Sequence, residues 1–147
     1  MPTTFPIGGR YQGPEWAQAA GLVIRHKKKV LLLLRSKGER ALTWGLPAGH
    51  REDGETPLQC AIRESGEELG HLPRNVYIKK KWAHTIFRGT RFVAWLCESP
   101  ILFRPAQLDK REHSLWRWYG KEEIQNIKLH EGAEAILKKL APDLLTK

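Results

Sequence analysis

Cysteine is scarce: Cys60 and Cys97 are the only two in 147 residues. Two scattered thiols make neither a disulfide framework nor a zinc site, so a reducing, cytoplasmic-type compartment is expected. Long apolar runs are also missing. The longest purely aliphatic stretch, Val30 to Leu34, is five residues. A membrane span needs about 20, so no membrane association is expected. Residues 1–10 show no cationic start leading into an apolar stretch, and no secretory signal is expected there. No internal repeat, low-complexity tract or Ser/Gly linker breaks the chain. One domain over 1–147 is the expectation, with 1–16 as an irregular lead-in. Apolar residues at 41% and charged residues at 28% suit a soluble globular protein. A chain of this length can bury roughly 70% of its unfolded surface, enough to fold without a staple.

Acidic charge is the minority: 16 Asp and Glu against 25 Lys and Arg, a net of +9. Residues 51–70 hold six of those acids and two of the bases, leaving +13 for the rest of the chain. A basic surface attracts polyanions such as nucleotides or nucleic acid. A concentrated acidic spot inside it suits a divalent cation, with phosphate around it.

Local signals place the elements. Leu22 to Arg25 and Val30 to Arg35 flank His26-Lys27-Lys28-Lys29 and predict a β-hairpin with a basic turn. Residues 36–44 read as a polar loop, and Gly45 to Gly49 as a short strand edge opening into a loop. A helix is predicted over Pro57 to Leu69. Thr56 is its N-cap, Gln59 completes a capping box, Pro57 suits the first turn, and Gly70 supplies the left-handed stop. Strands follow at Val76 to Phe87, Arg91 to Leu96 and Leu115 to Tyr119. Helices are expected at Lys121 to Ile127 and Glu131 to Leu140, the latter ended by Pro142. Strands mixed with packed helices give an α/β layered domain.

Glu64, Glu67 and Glu68 sit at i, i+3 and i+4 and share one helical face. Three carboxylates there repel one another unless a cation or an arginine sits among them. A solvated acidic face beside Arg63 is one reading. A site for Mg²⁺ or Mn²⁺, which prefer hard oxygen ligands, is the other.

The surrounding spacing bears on that choice. From Gly49 there are five residues to Glu55, seven more to Arg63-Glu64, two to Glu67-Glu68 and one to Gly70. This resembles the Nudix box, and all seven of its glycine and charged positions match. Leu46-Pro47-Ala48-Gly49 is similar to the Leu-Pro-Gly-Gly lead-in that commonly precedes the box. Ser65 and His71 depart, standing where the family usually has aliphatic residues. Ser65 is expected to bond back to the preceding helical turn.

The resemblance implies a Nudix-type α/β/α sandwich with a mixed central sheet. It implies Mg²⁺- or Mn²⁺-dependent hydrolysis of a nucleoside diphosphate linked to another group. Glu64, Glu67 and Glu68 would bind the metal with the Gly49 carbonyl. Arg63 and Glu55 would pair loop to helix, with Arg63 also orienting Glu64, and Gly70 would close the box. The general base varies between subfamilies: Glu64 is one candidate. Glu112, before the Trp116-Arg117-Trp118 strand, resembles an additional metal-ligand glutamate of MutT-type members. Glu98 is its rival. Arg35 resembles an arginine near the phosphates, and Trp16 and Phe87 are candidates to stack a base, alongside Trp82 and Trp116. The family's proline or tyrosine marker for ADP-ribose or dinucleoside polyphosphates is missing, which leans towards a nucleoside triphosphate or related small nucleotide. An RNA 5′ end, a nucleotide sugar, a dinucleoside polyphosphate or a non-catalytic nucleotide-binding role stay as alternatives.

Overall fold

The computed structural model describes residues 12–38, 41–72, 75–106 and 113–146. Its centre is a mixed sheet of seven strands: β1 (Ala19–His26), β2 (Lys29–Arg35), β3 (Trp44–Gly45), β4 (Ala48–His50), β5 (Tyr77–Phe87), β6 (Thr90–Glu98) and β7 (His113–Gly120). Among the described residues three α-helices of four residues or more accompany it: α1 (Pro57–Leu69), α2 (Lys121–Ile124) and α3 (Glu131–Leu140). β1 runs parallel to β6 and antiparallel to β2, which is what makes the sheet mixed.

Two apolar layers hold the helices against the sheet. On one face Leu58, Cys60, Ala61 and Leu69 of α1 meet Leu22, Ile24, Leu31, Leu33 and Trp95. On the other, Ala133, Ile136, Leu137 and Leu140 of α3 meet Val23, Val30, Leu32 and Ala94. The α/β/α sandwich follows from period-two alternation: Leu22 and Ile24 serve one layer, Val23 the other. Among the described residues no helix is long and apolar enough to cross a membrane.

α1 forms as its local signals require. Thr56 accepts from Gln59 N, the Gln59 side chain answers the Thr56 N–H, and Gly70 closes the helix at φ 83°. Gly66 faces open space, so its cost is propensity alone, about 1 kcal/mol.

The expected hairpin is real but short. β1 and β2 pair only at Arg25–Val30 and His26–Lys29, beside the turn. Beyond that they part, and the chain from Trp44 to His50 is wedged between them. β3 pairs with Leu33 and Leu34, β4 with Ala19 to Gly21, and Leu22 N donates to Pro47 O at 3.1 Å. Ala48 brings a side chain where the lead-in motif has glycine. Gly21, opposite, has none; a Cβ there would stand 2.5 Å from both the Ala48 Cβ and the Pro47 carbonyl oxygen.

Candidate active site

The wedge delivers Gly49 to a cleft of about 580 Å³ between the start of β1 and the end of β2. Ala48, Gly49, His50, Glu64 and Glu68 line it, with Arg35, Phe87, Arg88, His113 and His130. These residues come from β2, β4, β7, α1, the β5–β6 hairpin and the cap of α3, so the site depends on the packing just described.

Arg63 is the hub of the box. Its Nε reaches Glu55 Oε2 at 2.5 Å and Glu52 at 3.2 Å. One terminal nitrogen reaches Glu64 at 2.8 Å and Glu67 at 3.3 Å, and the other donates to Glu55 and to the His50 carbonyl, both at 3.0 Å. The guanidinium thus ties loop to helix and offsets the repulsion of the acidic face. Its hydrogen bond holds the Glu55 carboxyl below the usual range, more than burial raises it. Glu55 in turn lifts Arg63 further above its already high value.

The three helix carboxylates are not equivalent. Glu64 lies against Gly49 so closely that a Cβ at 49 would overlap its carboxyl carbon. Glu68 is buried at 4% exposure. It accepts the Ala48 N–H at 2.7 Å. Glu68 is thus withdrawn from solvent while it still lines the cleft. Glu67 stays on the solvent side, its side chain 61% exposed beside Arg63, and does not line the cleft. At about 100° per residue, positions 67 and 68 fall on either side of 64, and only 68 turns towards the sheet.

Other expectations divide. Arg35 and Phe87 line the cleft. Arg35 Nε is buried and has no hydrogen-bond partner among the described residues. Trp16 does not line it: it meets Trp82 and His84 edge-on, with centroids 6.5 and 5.1 Å away. The reason is parity along β5. Phe87 shares a face with Ala83 of the α3 layer, whereas Trp82 points to the α1 layer. Trp116 is likewise directed to the α1 layer. Glu98 is also corrected. It ends β6 opposite Arg25 and near Lys79, while the cleft is at the Phe92 end. Glu112 lies outside the described residues; its neighbour His113 lines the cleft. Ser65 donates to the Pro47 carbonyl at 3.3 Å rather than to its own helix, which pins the wedge onto α1.

Sequence reading missed Arg88, His113 and His130. Arg88 sits at φ 51° with Gly89 at 80° in the tight turn between β5 and β6, the two positive values of a type I′ turn. The Arg-Gly pair was the available signal. His130 caps α3 by accepting the Gly132 N–H at 3.0 Å, and its ring lies 4.7 Å from that of Phe87. Trp44 O accepts from His130 N, so the wedge positions this ring too.

A divalent cation can be tested against these groups. Among the described residues no three carboxylate, imidazole or thiol groups converge on one point. The cleft nevertheless offers Glu64, Glu68 and the Gly49 carbonyl, a set of hard oxygens that fits Mg²⁺ or Mn²⁺ better than a soft metal. The nearby thiol of Cys60 is turned to Gly49 O at 3.4 Å, and burial and the nearby carboxylates push it up to about 12.

The family follows from comparison with known proteins. The NUDIX domain family model matches residues 15–140. A Mycobacterium tuberculosis protein provisionally named 8-oxo-dGTP diphosphatase 3 is 31% identical over 131 residues, covering 83% of this chain and 60% of that protein. The African swine fever virus mRNA-decapping protein g5R is 31% identical over 71% of this chain and 48% of its own. The chain therefore spans only about half to three fifths of these two relatives. The asymmetrical bis(5′-nucleosyl)-tetraphosphatase of Sus scrofa is 29% identical over 82% of this chain and 90% of its own. The structure of a C. elegans Ap4A hydrolase binary complex superposes with a TM-score of 0.72 at 28% identity, over 86% of this chain and 98% of that one. This chain belongs to the Nudix hydrolase family.

Proposed function

We propose that this protein hydrolyses the pyrophosphate linkage of a nucleoside diphosphate joined to another group, with a nucleoside polyphosphate as substrate. One observation carries the reading: a single cleft is lined both by the oxygen donors Glu64, Glu68 and Gly49 and by the Phe87–His130 ring pair, with Arg35 and Arg88 among them. The rings suit a base, the arginines suit phosphate oxygens, and the carboxylates suit a cation. A bound Mg²⁺ or Mn²⁺ would offset phosphate charge and make water a better nucleophile.

The chain's own residues have distinct tasks in this reading. Arg35, whose buried Nε has no partner among the described residues, holds the phosphate chain. Glu64, or Glu112, takes the proton from the attacking water. The water oxygen bonds to phosphorus, the bridging P–O bond breaks, and its electron pair leaves with the departing phosphate. Glu64 and Glu68 would hold the cation with Gly49, and Glu67 on the same helix face would add a further carboxylate. Free, buried Cys60 and Cys97 suit a reducing, cytoplasmic-type compartment.

A panel of nucleoside triphosphates, dinucleoside tetraphosphates, nucleotide sugars and 5′-triphosphorylated or capped RNA, incubated with Mg²⁺ or Mn²⁺, tests the reading. Chromatography should show cation-dependent release of a nucleoside mono- or diphosphate. No turnover of any member with either cation would overturn it. The net charge of +9 favours RNA 5′ ends as a second reading. Preference for the RNA members, weakened steeply by salt, would select it.

A further inference from the structure

Glu68 has a buried neighbour that the proposed chemistry does not use. His113, with 3% of its side chain exposed, brings Nδ1 to 3.3 Å from Glu68 Oε2, itself on a side chain 5% exposed. Oε1 of the same carboxylate takes the Ala48 N–H. The two oxygens are therefore approached from two different elements, β4 and β7.

A buried carboxylate on a helix has three rotatable bonds and is costly to leave without donors. An ionised carboxylate only accepts, so a nitrogen that serves it must carry a hydrogen. A donor on each oxygen would fix the plane of the group. Each oxygen keeps a lone pair for a cation, because a carboxylate offers about four acceptor positions. His113 is itself aimed by the backbone. The β2–β7 register jumps between Leu34 and Arg35, which pairs His113 with Arg35. Strict alternation would put His113 on the face of Leu115, which is 56% exposed. The bulge turns it inward.

We propose that His113 is a positioning residue that donates from Nδ1 to Glu68 and so fixes this carboxylate for the divalent cation. The inference rests on the reading of Glu68 as a cation ligand. The residues that orient a metal ligand from behind typically control affinity by about 10–100-fold.

Calorimetric titration with Mn²⁺ of the wild type, His113→Leu, His113→Asn and Glu68→Gln tests it. His113→Leu, without a donor, should bind Mn²⁺ about 10–100-fold more weakly. His113→Asn, whose amide nitrogen can take the place of Nδ1, should recover most of that loss. A purely structural role would lower the melting temperature of both variants and leave the Mn²⁺ affinity of the folded protein unchanged. Wild-type affinity in His113→Leu, with affinity lost in Glu68→Gln, would overturn this inference and leave the proposed function standing. Unchanged affinity in Glu68→Gln would remove the assignment of Glu68 and the inference with it. Should His113→Leu fail to fold, ¹⁵N NMR of the wild-type histidine rings decides instead. Nδ1 of His113 should carry a proton, and a bare Nδ1 would overturn the inference.

Discussion

The carboxylate of Glu64 rests directly on the α-carbon of Gly49, in the space a side chain would fill. One residue comes from the wedge between β1 and β2, the other from α1. Their contact is where the sheet and the acidic helix face become one site. The atoms that a Cβ would meet belong to the flexible end of Glu64, not to backbone.

That distinction makes a prediction about Gly49→Ala. The Glu64 side chain can swing aside cheaply, so the melting temperature should change little. The displaced carboxylate should nevertheless lower turnover by about 10²-fold or more, the scale of a misplacement of about 1 Å in a reacting geometry. Steady-state kinetics at saturating Mg²⁺ beside a thermal melt would check it. Turnover above a tenth of wild type would mean that Glu64 works without this contact.

The Arg63–Glu55 pair makes stability depend on acid. Arg63 depresses the folded-state value of Glu55 below its ordinary 4.5. A depressed carboxyl contributes stability above the unfolded value and loses it as pH falls through the folded one. The wild type should therefore weaken progressively below about pH 4.5. Glu55→Gln should be less stable near neutrality and show a flatter decline in acid. Urea melts from pH 3 to 7 would measure both curves, and parallel curves would refute the assignment.

The thiols should be inert in the native protein. Burial leads the causes that raise Cys60, to about 12, and burial raises Cys97 as well. Since the thiolate is the reactive form, iodoacetamide at pH 8 should label neither until urea is added. Mass spectrometry of the labelled chain reads this directly. Native modification of Cys60 would show that its thiol opens to solvent beside Gly49.

What sequence revealed and what it did not have physical reasons. The helix α1 was legible because its cap, proline and terminal glycine are local, within one stretch of 15 residues from Thr56 to Gly70. The box spacing was legible for the same reason. Glu68's burial was not, because it depends on which side of Glu64 faces the sheet. His113 and His130 were missed because each enters the cleft through a long-range event: a register jump between β2 and β7, and the docking of Trp44 onto residues 128–130. Trp16 and Phe87 were indistinguishable as aromatic candidates until the parity of β5 was known. Ser65 was misread because its partner, Pro47, is 18 residues away in the chain.

The last prediction concerns the basic turn at Lys27, Lys28 and Lys29. Its three adjacent positive charges attract phosphate in principle. The structure puts it at the wrong end of the strands. Ala19 lines the cleft at the start of β1, and Lys27 follows His26 at its other end. Seven residues of strand at about 3.3 Å each separate them by roughly 23 Å. Exposed charges are screened over about 8 Å at physiological ionic strength, so this turn is more than two screening lengths from a small nucleotide in the cleft. Replacing all three lysines with glutamine should leave both kcat/KM on a nucleoside triphosphate and its decline with salt unchanged. Arg35→Gln and Arg88→Gln, which alter charges lining the cleft, should lower kcat/KM and flatten that decline. A triple lysine variant with a flattened salt response on the mononucleotide would show capture reaching well beyond the cleft. A flattened response on a long 5′-triphosphorylated RNA alone would be different evidence. It would show that the second substrate reading uses the far end of β1, where a chain leaving the cleft can reach and a small nucleotide cannot.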